Sequence, residues 1–408
     1  MNIPQGYKNS PLGVIPQEWE VKRIKDFGLV VTGNTPPTSD IENYGHEYMF
    51  VSPFDLGENK YIKETNKMLS SKGFALSRQL PIGAILFTCI GSTIGKTGIA
   101  TQLITSNQQI NSIICNNKNN NEYLYYELIF KSNLIKLIAG EQAVPIINKS
   151  TFENIQILRP PLSEQQKIAE ILTIWDKAID VQTQYIASLE TRKRGLMQQL
   201  LTGKKRLKGF NGEWREVKLG EVGEIISGGT PDTTNPLYWN GNINWCTPTD
   251  ITALNGIKYI GCTKTKITQE GLNNSSATLL PKGSIIVCTR ATIGKVAISN
   301  EVISTNQGFK NIIPNDKIIT DFLYYLSVNM EITLIRLGNG STFLEVQKKD
   351  FENIKIYLPS LEEQTAIANI LSSADQEIVL AKKKLTSLKE QKKGLMQQLL
   401  TGKRRMKI

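Results

Sequence analysis

The chain is poor in the residues that most enzyme chemistry needs. It holds one histidine, His46, in 408 residues. A lone loop histidine reads as a surface residue, and its isolation excludes most Ser-His-Asp, Cys-His and histidine-ligated metal chemistry. The five cysteines, Cys89, Cys115, Cys246, Cys262 and Cys288, are scattered with no C-x-x-C pair. Neither a zinc site nor a disulfide framework is written there, and plain core or surface thiols are expected. Long apolar runs are missing too. Stretches such as Ala84 to Phe87 and Ser284 to Val287 fall far short of the ~20 residues that span a bilayer. The start, MNIPQGYKNSPLG, lacks the basic residues and apolar stretch of a secretory signal, so no membrane partner and a cytoplasmic location are expected.

Catalytic loops are absent as well. GSTIGKT at 91–97 is one residue short of a phosphate-binding loop, and RATIGKV in the second half loses the first glycine and the magnesium-binding hydroxyl. No Asn-Pro-Pro-Tyr or Asp-Pro-Pro-Tyr string is present, and no pair of carboxylates stands out. Any catalysis is expected to belong to a partner.

What the chain does have is a duplication. GLMQQLLTGK occupies 195–204 and recurs letter for letter at 394–403, an offset of 199. At the same offset LSEQQKIAEIL (162–172) answers LEEQTAIANIL (361–371), and FENI at 152 answers FENI at 351. With small gaps the match runs back through TIGK (93 and 292), SNQ and TNQ (106 and 305), LPIG and LPKG (80 and 280), GNTP and GGTP (33 and 228), and Trp19 and Trp214. The repeat covers nearly the whole chain, so the fold is one unit written twice.

Each copy has two textures. Residues 1–161 and 207–358 carry short Val/Ile/Thr/aromatic runs broken by Gly, Pro and Asn, which predict strands and turns. Helical stretches at 121–138 and 321–337 make these domains mixed α/β. Segments 162–206 and 359–408 are predicted as long helices, starting at the capping patterns Ser163/Gln166 and Ser360/Glu363. Ile168, Trp175, Gln182, Leu189 and Leu196 recur every seven residues beside Leu172, Ile179 and Ile186. Ile367, Ala374, Ala381, Leu388 and Leu395 do the same beside Leu371, Ile378 and Leu385. These are heptad seams, and each helix, closing near Gly203 or Gly402, should run ~60 Å. The expected partner of each is the other, antiparallel, in a coiled coil that separates two α/β domains.

The net charge of +11 is unevenly placed. The globular segments are near neutral, with 15 cations against 13 anions in 1–162 and 14 against 14 in 209–357. The excess lies in 163–208 (9 against 5) and 358–408 (10 against 5), at Arg192–Arg194, Lys204–Arg206, Lys382–Lys384 and Lys403–Arg405. Such ends suit either the negative pole of a helix or passing phosphates. In the domains, Gly-rich loops carry Thr35, Thr88, Ser92, Thr93, Lys96, Asn107 and Gln108. The second copy has Thr230, Thr289, Arg290, Thr292, Lys295, Asn306 and Gln307. Asn, Gln and Arg can bond base edges bidentately, though turn chemistry alone also favours such residues.

Together the tryptophan entries, the GNTP and GGTP turns, TIGK with SNQ or TNQ, the FENI exit, the L-x-E-Q step and the two GLMQQLLTGK ends resemble the specificity subunit of Type I restriction-modification systems. The resemblance implies two target-recognition domains, each followed by a conserved helix. It implies double-stranded DNA as ligand and two methyltransferase and two restriction/translocase subunits as partners. Leu196, Gln199, Leu200, Leu395, Gln398 and Leu399, in the near-identical helix ends, are the expected partner contacts. The chain itself would be non-catalytic and bind no cofactor; S-adenosylmethionine, ATP and Mg2+ would belong to its partners. Divergent heads imply an asymmetric bipartite target, with half-sites about one DNA turn, ~34 Å, apart. A scaffold whose heads bind protein, and an autonomous nuclease or NTPase, stay open beside this reading.

Overall fold

The computed structural model describes residues 3–140, 143–338 and 345–406. Two compact units result: one runs to Thr183 and resumes at Lys383, and the other is Gln184–Lys382. The long helices Leu162–Leu200 and Leu361–Leu399 each give one half to each unit. Compactness therefore divides the chain inside its helices, because each half-helix packs on one globular head.

The first head is built on a five-stranded sheet in the order Gly28–Thr32, Ile110–Cys115, Ile85–Thr88, Thr97–Ala100, Tyr61–Ile62. Its pairings are antiparallel except the last. Register places Val30, Ile113, Ile85 and Ile99 in one row across four strands. All four are buried. The second head repeats this with Ile225, Ile312, Ile285 and Ile298. A smaller sheet adds Tyr44–Val51 between Thr105–Ser106 and Lys67–Leu69, answered by Trp239–Cys246 between Ser304–Thr305 and Thr265–Ile267.

The helix expected at 121–138 spans Asn121–Ile138, capped by Asn120 on the Tyr123 amide. Its counterpart is two helices, Thr320–Asn329 and Glu331–Leu337, interrupted at Met330. Among the described residues no helix is long and apolar enough to cross a membrane.

In each unit the two long helices run antiparallel: Glu164 faces Arg405 while Asp176 faces Lys392, and Glu190 faces Lys382 while Arg206 faces Glu363. The heptad positions Ile168, Leu172, Gln182, Ile186 and Leu189 are buried, as are Ile367, Leu371, Ala374, Ile378 and Ala381. The first helix start differs from the expected capping box. Helix begins at Leu162, so the cap position is Pro161, which has no side-chain acceptor, and Ser163 lies in the first turn. In the second copy Ser360 does cap, accepting from the Glu363 amide at 3.4 Å. Beyond each helix Gly203 (φ +69°) and Gly402 (φ +71°) take the left-handed conformation that ends it.

Candidate nucleic-acid interface

Five loops of the first head meet along one edge. The Asn34 amide donates to Ser106 O at 2.9 Å, and the Asn107 amide to Val51 O at 3.0 Å. The Cys89 amide donates to Gln109 O at 2.8 Å, the Ile147 amide to Cys89 O at 2.9 Å, and Lys96 Nζ to Pro53 O at 3.2 Å. The second head repeats the frame: the Gly229 amide on Thr305 O, Asn306 on Cys246 O, Thr289 on Gly308 O, and Val346 on Thr289 O.

Glycine makes the closest of these approaches possible. A Cβ on Gly33 would lie 2.2 Å from Asn107 O, and one on Gly228 would lie 1.8 Å from Asn306 O. That contact sets the next hydroxyl against the facing glutamine. Thr35 Oγ1 bonds Gln108 Oε1 at 2.6 Å, and Thr230 bonds Gln307 in the same way. Both glutamines are exposed. The hydroxyl holds the amide oxygen, which leaves each glutamine's NH2 directed by a neighbour rather than swinging freely.

The other expected residues divide. Thr88 and Thr289 are fully buried, and the Thr292 hydroxyl oxygen is shielded inside its loop. None of these three hydroxyls faces a ligand, a correction to their reading as contacts. For Thr88 the reason is that its strand is covered on both faces, so a strand-end threonine points into protein whichever way the pleat turns; Thr289, one residue past the matching strand, turns its hydroxyl onto Gly308 O at 3.2 Å. Asn107 and Asn306 spend their amide oxygens on the Gln109 and Gly308 amides, shaping the turn that presents Gln108 and Gln307. Lys96 is held by Pro53 O, whereas Lys295 is exposed and reaches Glu331 at 3.6 Å. Ser92 is exposed and Thr93 half-buried. Arg290 is half-buried, its Cβ 3.8 Å from where a side chain on Gly308 would begin.

The hydrogen bonds also fix the alignment of the copies here. Cys89 and Thr289 bond equivalent carbonyls, and Ile90 and Arg290 form equivalent bridges with Ile146 and Glu345. Thr88 thus answers Cys288, and Cys89 answers Thr289. The turn itself is Gly91-Ser92 in one copy and Ala291 in the other, with left-handed φ at Gly91 (+89°) and Ala291 (+62°). Both TIGK loops join antiparallel strands. A phosphate-binding loop must instead feed a helix N-terminus.

Sequence reasoning missed three features. Arg78 donates from Nη1 to Thr32 O at 2.7 Å, and its amide bonds Asn34 Oδ1 at 2.8 Å, which places an exposed cation beside Thr35. The turns Ser52-Pro53-Phe54-Asp55 and Thr247-Pro248-Thr249-Asp250 flank the Asn-Gln loops, a repeated pattern visible in the sequence. The third is a polar cluster joining head to helices. Lys60 Nζ donates to Glu122 (2.9 Å), Tyr126 (3.1 Å) and Thr173 (2.8 Å), and Tyr126 and Lys392 both bond Asp176. In the second unit Lys258, Asp321, Tyr325, Ser372, Asp375 and Lys193 repeat it. Burial pulls the Lys60 ammonium below its usual range against the pull of Glu122. The repeated Lys-Tyr and Tyr-Tyr pairs were its only sequence signal.

At the helix ends Leu200 and Leu399 are buried in the cores of their own units, so neither is open to a partner as expected. Leu196 and Leu395 are half-buried, and Gln199 and Gln398 exposed. Much of the basic excess is likewise engaged. Arg192 pairs with Glu377, Lys193 with Asp375, Arg206 with Glu363, Lys382 with Glu190, and Arg405 with Glu164 and Glu18. Arg194, Lys204, Lys205, Lys383, Lys384, Lys403 and Arg404 are the exposed remainder of those runs.

Comparison with known proteins agrees with this architecture. The family model described as "Type I restriction modification DNA specificity domain" matches residues 16–191 and again 211–390. The MjaVIII specificity subunit of Methanocaldococcus jannaschii is 29% identical over 96% of this chain and 94% of its own length. The MjaIX specificity subunit of the same organism is 38% identical over 44% of this chain, and the match spans only 41% of that relative. Among solved structures, a chain from work on complex assembly and conformational transition of the type I R-M system superposes with TM-score 0.65 at 20% identity, covering 95% of this chain and 99% of that one. The S subunit of M. genitalium gives 0.57 at 15%, covering 100% and 99%. With both copies matched and the paired helices and repeated heads in place, the chain belongs to the Type I restriction-modification DNA specificity family, as a specificity subunit.

Proposed function

We propose that the two heads read the two halves of an asymmetric, bipartite double-stranded DNA target. The observation that carries this is a common loop frame with different outward side chains. Gly33, Thr35, Asn107 and Gln108 answer Gly228, Thr230, Asn306 and Gln307, while Arg78, Ser92 and Phe54 mark one edge and Arg290, Lys295 and Thr249 the other. Glutamine and arginine bond adenine and guanine edges bidentately, and the exposed lysines suit phosphates.

The chain contributes recognition, and methylation and ATP-dependent cleavage belong to its partners. Two methyltransferase subunits dock on the equivalent helix ends through Leu196, Gln199, Leu395 and Gln398, and two restriction/translocase subunits join them. S-adenosylmethionine, ATP and Mg2+ are held on those subunits. Methylation-sensitive sequencing of the host genome tests the reading directly. A split motif with two unlike halves and a fixed spacer is expected, and salt-insensitive or absent DNA binding by the complex would favour a protein scaffold instead.

A further inference from the structure

Phe54 is 82% exposed, yet its neighbours Val51 and Leu56 are buried. A single apolar side chain in solvent is ordinary, but the support under this one is not. Ser52 N and Oγ both donate to Asp55 Oδ2, at 2.8 and 2.7 Å. The Asn66 amide donates to Asp55 Oδ1 at 2.8 Å, and the Asp55 amide to Ser52 O at 3.0 Å. Lys96 Nζ fixes Pro53 O from the far side of the loop cluster. The ring is therefore held outward by a backbone with little freedom. It stands next to the Asn107-Gln108 turn, whose amide bonds Val51 O.

The second head supplies the comparison. Thr247 N and Oγ1 donate to Asp250 Oδ2 at 2.8 and 2.7 Å, and the Lys264 amide to Asp250 Oδ1 at 3.0 Å. The hydrogen bonds to the aspartate are the same to within a tenth or two of an ångström, although Lys295 pairs with Glu331 where Lys96 holds Pro53 O and the second turn runs on as a helix to Ala253; the projecting residue is Thr249. A frame kept while its projecting side chain changes is what a position that distinguishes two half-sites would show. A purely structural residue would be kept along with the frame, and Phe54 touches too little protein to be one.

We propose that Phe54 is a wedge: it inserts at a base step of the first half-site and partly unstacks it, while the second head makes no such insertion. The proposal rests on the DNA reading above. Apolar wedges suit steps that unstack readily, such as pyrimidine–purine steps, and the aromatic face can replace the lost base stacking whatever the base. The Asn107 amide on Val51 O brings the turn that presents Gln108 up to this loop, and Thr35 bonds Gln108, so the surface continuing from the ring is polar, which makes nucleic acid a better occupant than an apolar protein groove.

The test uses the full chain together with the methyltransferase subunits that co-purify with it. Wild type first selects its preferred duplexes from a randomised library, and 2-aminopurine is then placed at successive positions of the selected site. Binding is expected to raise fluorescence at one step of the first half-site. Phe54→Ala should abolish that rise and weaken binding about tenfold or more, with an unchanged thermal transition because the ring is exposed. Phe54→Trp should restore both, and at saturating protein Thr249→Ala should leave the first-half-site signal in place. Affinity within twofold and an undiminished signal in Phe54→Ala would overturn the wedge alone. Failure of tryptophan to restore them would overturn its aromatic character. If wild type enriches no duplex, the DNA reading falls and the wedge with it.

Discussion

The Tyr325 hydroxyl donates to Asp375 at 2.6 Å across 50 residues of sequence, tying the second head to the helix that follows it. Asp375 also pairs with Lys193, so one carboxylate joins three elements of the same unit. The Tyr126 and Asp176 pair, completed by Lys392, does the same in the first unit. A hydrogen bond to a charged acceptor contributes about 1.5–3 kcal/mol. Tyr325→Phe is therefore expected to lower the urea midpoint of its unit by about 2 kcal/mol equivalent. A double-mutant cycle with Asp375→Ala should show strong coupling, since both changes remove the same hydrogen bond, which an asparagine oxygen could still accept. Additive effects would mean that the tyrosine acts through packing alone.

Glu127 provides the pH dependence. Its side chain is fully buried, with Lys131 Nζ at 3.6 Å and one weak bond from the Leu158 amide. Burial pushes its carboxyl up to about 7, more than Lys131 can offset. Between the ordinary value near 4.5 and 7 the folded chain holds a proton that the unfolded chain has lost. Stability should thus fall as pH rises through that window, by about 3 kcal/mol in all, and stay low above it. The second copy has Leu326 at this place. Glu127→Gln is expected to flatten the dependence and Glu127→Leu to raise stability at pH 8. Denaturant titrations between pH 4 and 8 measure both, and an unchanged slope in Glu127→Gln would refute the assignment.

How far the sequence could be read depends on the range of each interaction. Heptads such as Ile168, Leu172 and Leu189 and the helix at 121–138 are local patterns, and they were legible. The paired threonine and glutamine loops were legible as residue types but not as neighbours, since Thr35 and Gln108 stand 73 residues apart. Thr88 misled because a strand buried on both faces carries no polar alternation to mark an outward side, and Thr289, just past the matching strand, because its partner Gly308 lies 19 residues away. Arg78 and the Lys60 cluster left almost no trace. Their partners lie 44 to 216 residues away, at spacings that no periodicity encodes.

Gly228→Ala offers a separation of frame from fold. Its Cβ would fall 1.8 Å from Asn306 O and 2.4 Å from Thr305 Oγ1, both in the loop that presents Gln307. Neither strand partner can yield without moving that loop. A stability loss of about 1–3 kcal/mol is expected, typical of overpacking. The loss of DNA affinity should exceed it and be confined to the half-site read by the second head. Duplexes altered in one half at a time make the comparison, and equal losses at both halves would place the glycine outside recognition.

Arg290 tests base reading itself. It is half-buried at the loop apex, with its backbone bridged to Glu345 and its Cβ side against Gly308, beside exposed Gln307. If the guanidinium reads a guanine bidentately, Arg290→Ala should cost about 1–3 kcal/mol of binding and relax preference at one base position. Lys295, more exposed and loosely paired with Glu331, is expected to behave differently. Lys295→Ala should weaken all duplexes alike and reduce the slope of log affinity against log salt by about one. The two variants therefore differ in kind as well as size, and a selection repeated with each would show it. Arg290→Ala enriching the wild-type motif unchanged would remove Arg290 from the reading surface, whatever its effect on affinity.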